Sequence, residues 1–286
     1  MIDFRTFETL EEKKPDRLLD RHPDGKYLAM QVSTADAYLA AIWDNETKRL
    51  TWSPEAAHAL AWLRQGTQIA ALQNPQVSED FQFAIYSWPQ GSLLQRCPLR
   101  FPMGYLFDLV ISPASDLAVC QWTDQCEFGY EFVAIHEDKI IHLVQDSYFN
   151  GKTSYSTRPV FSSDGLLWVC AYQENTDWWE NEDSHEHDAH STGEAKKEIG
   201  AIVVFHQTQM LGEIPLRLTI PPDYQPPNVS APGFFSQETK ASSSFPEGSE
   251  YTVDPVFLDT HRIMIRLPSG ESQVHDLSGF WDKRIS

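Results

Sequence analysis

The sequence is poor in the residues on which several classes of protein depend. It has 22 Lys and Arg against 41 Asp and Glu, which gives a formal net charge of −19. Nucleic acids and anionic lipids attract clustered positive charge, so we expect neither as a partner. Only 14 of the 286 residues are Gly, and no glycine-rich phosphate-binding loop occurs. No apolar run approaches the roughly 18 residues that a membrane-spanning helix needs.

Cysteine is also scarce. The four thiols, Cys97, Cys120, Cys126 and Cys170, form no Cys-x-x-Cys pair and are too few for a disulfide scaffold of this length. The first residues include acids where a signal peptide needs an apolar run. We therefore expect reduced thiols in a cytoplasmic protein. Nucleophilic catalysis has little support, because no Gly-x-Ser-x-Gly elbow is present.

What the sequence does contain is a repeat. Five segments share a polar turn followed by a short apolar strand, and the turn is often Asp-Gly or a relative, which suits a tight hairpin. The segments are residues 22–31, 64–73, 113–121, 162–171 and 259–266. One column of their alignment holds Met30, Leu72, Cys120, Cys170 and Ile265. All five residues are apolar, so we expect them, including the two cysteines, in the core.

The spacing of that column predicts the architecture. Its first three gaps are 42, 48 and 50 residues, and four-stranded propeller blades repeat at about 40–45 residues. A last gap of 95 residues contains an acidic insertion at 173–198 and a Pro/Ser-rich connection at 219–250. We therefore predict an all-β chain, a single β-propeller domain over residues 1–286. Five blades of about four antiparallel strands are favoured over six or seven.

The last repeat is too short for four strands. The alternating apolar residues Ile2, Phe4 and Phe7 are predicted to supply the missing strand. Pairing the N-terminal strand with the last blade closes the ring and removes exposed sheet edges.

Two segments carry a family resemblance. Residues 41–50, Ala-Ile-Trp-Asp-Asn-Glu-Thr-Lys-Arg-Leu, look like the end of a WD-repeat blade, where Trp-Asp closes the third strand. Residues 22–29, His-Pro-Asp-Gly-Lys-Tyr-Leu-Ala, resemble the turn between the first two strands of such blades. Only Trp43-Asp44 carries the dipeptide, so the chain resembles a divergent, WD-repeat-like β-propeller. The resemblance implies protein binding.

Polar residues recur just before the first strand of several blades. Asp108, Arg158 and Asp254 stand at nearly the same offset, and Arg17 and His58 lie near that column. In a propeller this position faces the mouth of the central channel. We predict that these side chains bind a cation, a small polar ligand or a charged side chain of a partner. The alternative is that they are ordinary strand-end residues paired with each other or with the backbone.

The acidic insertion offers a second candidate site. His185, His187 and His190 are interleaved with Glu and Asp, and imidazole with carboxylate suits zinc, nickel or copper. A flexible solvated loop is the alternative, because the tract has many charges and no apolar period. Two aromatic pairs, Trp178-Trp179 and Phe234-Phe235, are either interaction residues or anchors onto the propeller.

These features predict a non-enzymatic module that presents an acidic propeller surface to a protein partner, for which the charge favours a basic one. No cofactor is expected, and a monomer and a homodimer are both open. The alternative is a hydrolase or lactonase-like enzyme that holds a divalent cation with Asp108, Asp254 and His58.

Overall fold

Antiparallel β-strands make up nearly all of the described structure. The computed structural model describes residues 17–33, 38–74, 81–99, 105–124, 127–137, 139–143, 148–150, 153–174, 196–220, 254–267 and 271–281. These ranges contain five sheets, a 3-10 turn at Arg64–Gly66 and a four-residue helix at Ser278–Trp281. The chain divides into two compact units: one holds the first two sheets and most of the third, and the other holds the fourth and fifth together with residues 127–129 and 148–150 of the third.

The sheets of the first unit are built from strands in chain order. The first sheet contains β1 (Arg17–Arg21), β2 (Tyr27–Ser33), β3 (Tyr38–Asp44) and β4 (Arg49–Trp52). The second contains β5 (Ala57–Leu63), β6 (Gln68–Gln73), β7 (Phe81–Ser87) and β8 (Leu93–Leu99). The third contains β9 (Tyr105–Ile111), β10 (Leu117–Asp124), β11 (Glu127–Ile135) and β12 (Ile140–His142), and β13 (Tyr148–Asn150) also pairs with β11.

The fourth and fifth sheets differ in length and strand number. In the fourth, β14 (Thr153–Ser156) and β15 (Val160–Phe161) both pair with β16 (Leu167–Glu174), which is followed by β17 (Lys196–His206) and β18 (Gln209–Ile220). The fifth sheet has three strands within the described ranges: β19 (Asp254–Phe257), β20 (Arg262–Arg266) and β21 (Ser272–Asp276). The all-β prediction, with antiparallel sheets of about four strands, is confirmed. Blade count and ring closure stay predictions.

The strands of the fourth sheet extend into both segments predicted to interrupt it. β16 ends at Glu174 and β17 begins at Lys196, so the two ends of the 173–198 segment are paired strand. β18 continues to Ile220, with Lys196 opposite Ile220. The remainder, residues 175–195 and 221–253, lies outside the described residues, as does the N-terminal segment 1–16.

The repeated polar turns join the first and second strands of their sheets. His22, Ser112 and Ser162 each accept, at the backbone carbonyl, a hydrogen bond from the residue three positions later. Those later residues are Gly25, Ser115 and Gly165, with φ of 73°, 58° and 73°. Glycine adopts this left-handed conformation without steric cost, which explains the Asp-Gly pattern of two of these turns.

The predicted core column is confirmed. Leu72, Cys120, Cys170 and Ile265 are fully buried and Met30 is nearly so, each on the second strand of its sheet. Burial of such side chains contributes about 1.5–3 kcal/mol each. The two cysteines are therefore packing residues, as predicted, and both are free thiols.

Trp43-Asp44 ends β3, as the WD-repeat resemblance implies. Asp44 is buried, and its Oδ1 accepts hydrogen bonds from the backbone N–H groups of Glu46 (2.8 Å) and Thr47 (3.2 Å). Burial acts to raise the pKa of Asp44, but the donors Thr47 and Glu46 outweigh it, and the net shift is downward. The carboxylate thus fixes the turn into β4.

Candidate functional site

Asp108 lies on β9, and its side chain is 4% exposed. Its Oδ2 accepts a hydrogen bond from Nη2 of Arg17 on β1 at 2.6 Å, and the Arg17 side chain is 19% exposed. The pair therefore ties the first strand of the first sheet to the first strand of the third. Charge-assisted contacts of this length are strong. Within the first unit, the structure thus pairs two residues at or near the predicted channel-mouth column, because the Asp108 carboxylate is already bound by Arg17.

His58 lies at an irregular position of β5. The register between β5 and β6 shifts between Ala57 and Ala59, and the His58 ring lies 6.0 Å from the ring of Phe81, measured between centroids. Burial lowers the pKa of His58, because a less hydrated site disfavours the charged imidazolium. The neutral ring is thus packed against the aromatic side chain of its own sheet.

Arg158 and Asp254 belong to the second unit. Arg158 is half-buried in the segment between β14 and β15, and it takes part in interactions there. Asp254 begins β19 and stands opposite Arg266 of β20 in the strand register. Asp254 thus begins the first strand of its sheet, whereas Arg158 lies between the two short strands that pair with β16. A binding site that combines them with Asp108 and His58 stays a prediction.

Two groups of candidate residues fall outside the described ranges. The proposed metal ligands His185, His187 and His190 lie in residues 175–195, together with Trp178 and Trp179. Phe234 and Phe235 lie in residues 221–253. Within the part of the chain that the structure describes, no group of three or more His, Cys, Asp or Glu side chains is placed to hold a metal ion.

The third sheet contains a buried pair of polar side chains within hydrogen-bond distance, which no local sequence pattern indicates. His142 Nε2 on β12 lies 2.8 Å from Glu131 Oε2 on β11, with side chains 8% and 4% exposed. The pair holds the short β12 strand against its neighbour, where Val133 stands opposite His142. Burial, followed by the charge of Glu131, raises the pKa of the Cys120 thiol well above its usual value. A buried thiol with a raised pKa is a poor nucleophile.

Cys97 of β8 is also unreactive. Burial raises the pKa of the Cys97 thiol to about 11, so it remains protonated near neutral pH. The repeat pattern placed Cys120 in the core, and nucleophilic catalysis had little support from the sequence. The burial of both thiols and their raised pKa values agree with that expectation.

The outer strands of the second and third sheets carry exposed apolar side chains. Leu93 and Leu94 of β8 are 47% and 48% exposed, and Ile141 of β12 is 38% exposed. The two regions are linked by Gln95 Nε2, which donates to the carbonyl oxygen of Glu137 at 3.1 Å. We call Leu93, Leu94 and Ile141 the outer-strand patch. The sequence signal for it is the Leu-Leu pair before Gln95, but alternation alone does not show that both leucines face water.

No protein-family model and no curated protein matches the chain. Among solved structures, Kuenenia stuttgartiensis hydrazine synthase is similar over 94% of this chain and 66% of its own, with 12% identity and a TM-score of 0.52. The β-propeller domain of Cps50 (Swd1) from Myceliophteria thermophila is similar over 92% of this chain and 68% of its own, with 10% identity and a TM-score of 0.46.

A putative 6-phosphogluconolactonase from Bacteroides uniformis is similar over 88% of this chain and 64% of its own, with 8% identity and a TM-score of 0.46. The chain thus spans slightly less than two thirds of the length of hydrazine synthase. These likenesses concern the fold alone. The successive antiparallel meanders are the organisation expected of β-propeller blades.

Proposed function

We propose that the protein is a non-enzymatic interaction module that binds a basic protein partner through the outer-strand patch. The observation that carries the proposal is the exposure of Leu93, Leu94 and Ile141 on two outer strands. Large apolar side chains grouped on a surface mark interaction sites. The β8 strand pairs with β7, with Leu93 opposite Tyr86 and Leu94 at a register shift, so the two leucines are held by the sheet.

The surroundings of the patch suit a protein partner better than a small ligand. Arg96 and Pro98 of β8 are exposed beside the leucines, and Glu137 and Lys139 are exposed near β12. Apolar side chains surrounded by polar ones form the usual arrangement of a protein interface, in which the rim excludes water from the central contacts. Because the patch lies on outer strands, a partner can reach it without any change in the sheets.

The charge of the chain favours a basic partner. The net charge is −19, and residues 173–198 alone contain nine acidic residues against two lysines. A field of this sign accelerates the encounter with a positively charged protein, and the effect weakens as salt is added. The apolar patch supplies contact energy, whereas the acidic residues supply orientation and rate.

The alternative of a cation-dependent hydrolase is not proposed. Its site requires Asp108 as a ligand, but the guanidinium of Arg17 already neutralises this carboxylate at 2.6 Å. A divalent cation would have to displace that arginine from a contact that is largely removed from water. The Arg17–Asp108 pair is better explained as a tie between two first strands.

The test compares the full chain with two leucine variants. In the first, Leu93→Ser and Leu94→Ser are combined; in the control, the equally exposed Leu258, which directly follows β19, is changed to Ser. Proteins retained from a lysate are quantified by mass spectrometry, and the purified candidate is then titrated against all three chains at two salt concentrations. We expect the retained protein to be basic. Its dissociation constant for the patch variant should be at least about tenfold higher than for the full chain, and its affinity for the control should be unchanged. Its association with the full chain should slow as salt is added. Equal binding by the patch variant and the control would refute the proposal.

A further inference from the structure

The outer strand of the fifth sheet differs from the outer strands of the other four. Edge strands expose unpaired backbone groups, and proteins protect them with proline, positive charge, bulges or short length. β4 has four residues, including Arg49, and a register shift; β12 has only three residues. β8 and β18 each contain a proline, Pro98 and Pro215, and a register shift in their pairing. Each of these four outer strands therefore has a feature that disfavours pairing with a further strand.

β21 has none of these protections. Its sequence, Ser-Gln-Val-His-Asp, has no proline, lysine or arginine, and it pairs with β20 without a register shift. Within the described ranges, no strand pairs with its other side. This edge is therefore the one best suited to receive another strand.

The hydrogen-bond pattern shows which residues face that edge. The Leu267 N–H donates to the Glu271 carbonyl oxygen (2.8 Å), and the Leu277 N–H donates to the His261 carbonyl oxygen (2.7 Å). Hydrogen-bonded and non-hydrogen-bonded pairs alternate along an antiparallel ladder. Residues 273 and 275 therefore direct their backbone groups toward β20. Ser272, Val274 and Asp276 direct theirs toward the open edge.

These three residues are self-complementary. If a second β21 strand pairs antiparallel about Val274, Val274 faces the partner's Val274, and Ser272 faces the partner's Asp276. All three outward-facing residues then fall in hydrogen-bonded pairs, and no like charges stand opposite each other. A two-fold axis through the Val274 pair satisfies the requirement that a symmetric dimer use the same surface twice.

A row of apolar side chains crosses the fifth sheet and ends at the open edge of β21. Val256, Met264 and Val274 are aligned across β19, β20 and β21. Val256 is 44% exposed and Val274 is 58% exposed, whereas Ile263 and Ile265 on the opposite face are fully buried. Pairing two β21 strands would place Val274 beside its counterpart and join two such rows into one. Cross-strand apolar pairs stabilise sheets in this way.

We infer that the chain forms a homodimer in which β21 pairs antiparallel with β21 of a second copy, centred on Val274. The competing occupant of this edge is the N-terminal segment, which the sequence predicts as the fourth strand of the fifth sheet. The two occupants exclude each other because both need the outward backbone groups of Ser272, Val274 and Asp276.

The test changes one charge at the junction. Ser272→Asp places a carboxylate opposite the partner's Asp276, whereas within its own sheet residue 272 faces Arg266, which tolerates the new charge. Ser272→Asn is the matched neutral control. Val274→Pro is a second variant: it removes an N–H that points to the open edge, so the pairing with β20 is kept. Sedimentation equilibrium up to about 100 µM measures the dimer of the full chain, in the range of weak complexes.

We expect a concentration-dependent dimer whose dissociation constant rises about tenfold with Ser272→Asp, because each substitution acts twice in a symmetric dimer. It should change little with Ser272→Asn, and Val274→Pro should abolish it. Amide exchange over residues 272–276 should slow as the concentration rises. A full chain that stays monomeric, a dimer that neither Ser272→Asp nor Val274→Pro weakens, or a dimer that forms only after residues 2–10 are deleted would each overturn the inference; the last would assign the edge to the N-terminal segment.

Discussion

The second and fifth sheets are built from the same meander but differ in burial. In the second sheet, Ile69, Ala70, Ala71 and Leu72 follow one another along β6, and all are buried. Because successive side chains of a strand point to opposite faces, both faces of β6 are covered. In the fifth sheet, Ile263 and Ile265 are buried, but Met264 between them is partly exposed. β20 is therefore covered on one face.

This difference shows that the repeat determines burial on one face of the second strand, whereas burial of the other face depends on the neighbouring structure. The buried column position is kept in both sheets, as Leu72 and Ile265. The opposite face depends on what packs against the sheet. Regions with fewer buried apolar contacts open at lower free energy than the global transition. The fifth sheet should accordingly be the less protected of the two, and the substitutions below test that ranking.

The largest effects are expected in the shared column. Leu72→Ala should lower the free energy of unfolding by about 3–5 kcal/mol, because Leu72 is fully buried and its cross-strand neighbours Ala59 and Phe83 are buried as well. Ile265→Ala should cost less, about 2–3 kcal/mol. Ile265 stands opposite Pro255 and the partly exposed Gln273, so its surroundings can close around the cavity more readily.

Denaturant unfolding combined with native-state hydrogen exchange measures the two variants. Exchange is needed because two compact units need not unfold in one step. Leu72→Ala should accelerate exchange across the second sheet, and Ile265→Ala across the fifth. Equal losses, with exchange accelerated throughout the chain in both cases, would contradict the ranking.

Ion pairs extend the comparison. Asp108→Asn should destabilise the first unit by about 1–3 kcal/mol, because it removes the carboxylate charge that Arg17 contacts at 2.6 Å in a largely buried place. The fifth sheet has the exposed pair Arg262–Asp259, with side chains 58% and 40% exposed. Removing it with Arg262→Gln should leave the unfolding transition nearly unchanged.

A double-mutant cycle of Asp108→Asn with Arg17→Met isolates the coupling in the buried pair. Thermal unfolding of the four chains is sufficient to measure it. A coupling energy near zero would show that the 2.6 Å contact does not tie the first and third sheets together.

Both sheets should also lose stability at acid pH, through different titrating groups. Burial lowers the pKa of His58 in the second sheet. Between the folded pKa and the ordinary value of about 6.5, the unfolded state then binds more protons, so stability rises with pH. Lowering the pH from 7 to 5 should weaken the second sheet, and His58→Phe should remove that dependence.

The carboxylates of the fifth sheet act at lower pH. The pKa of Asp259 is lowered by the backbone N–H of His261 and the side chain of Arg262, and the pKa of Asp276 by the side chain and backbone of Ser278. Their stabilisation is present above the ordinary Asp pKa of about 3.9 and is lost as the pH falls through the folded values. Burial also lowers the pKa of His275 on β21, so exchange in the fifth sheet should accelerate between pH 7 and 5 as well, after correction for intrinsic rates. The carboxylates should add a further loss of protection only below about pH 4. A fifth sheet that loses no further protection in that lower range would contradict the assignments of Asp259 and Asp276.

The repeat pattern predicted the fold because it depends on local physics. The turn at Gly25 and the alternation that buries Leu72 and Ile265 are determined by a few neighbouring residues. The spacing of the second strands then follows from chain order. The same reasoning placed Asp108 and Asp254 at the starts of first strands. Asp254 begins β19, but Asp108 is the fourth of the seven residues of β9.

The partners of those residues were harder to predict. Arg17 and Asp108 are 91 positions apart, and no local pattern indicates that a guanidinium from one sheet reaches a carboxylate two sheets later. The Glu131–His142 pair was equally hard to predict, because it depends on the register of β11 and β12. Exposure of Leu93, Leu94 and Val274 depends on which strand ends a sheet, which the repeat spacing does not determine.

The smallest effect is expected at the exposed face of the fifth sheet. Val256→Thr keeps the β-branched shape and replaces a methyl group with a hydroxyl, and Val256 is 44% exposed, so the free energy of unfolding should change by no more than about 0.5 kcal/mol. The comparison residue in the second sheet is Ala61 of β5, which is buried. Ala61→Thr enlarges a packed residue and buries a hydroxyl, which should cost about 1–3 kcal/mol. Urea unfolding monitored by tryptophan fluorescence gives both values. A loss at Val256 as large as that at Ala61 would show that the outer face of the fifth sheet is covered in solution, and the distinction between the two sheets would then lie in strand number alone.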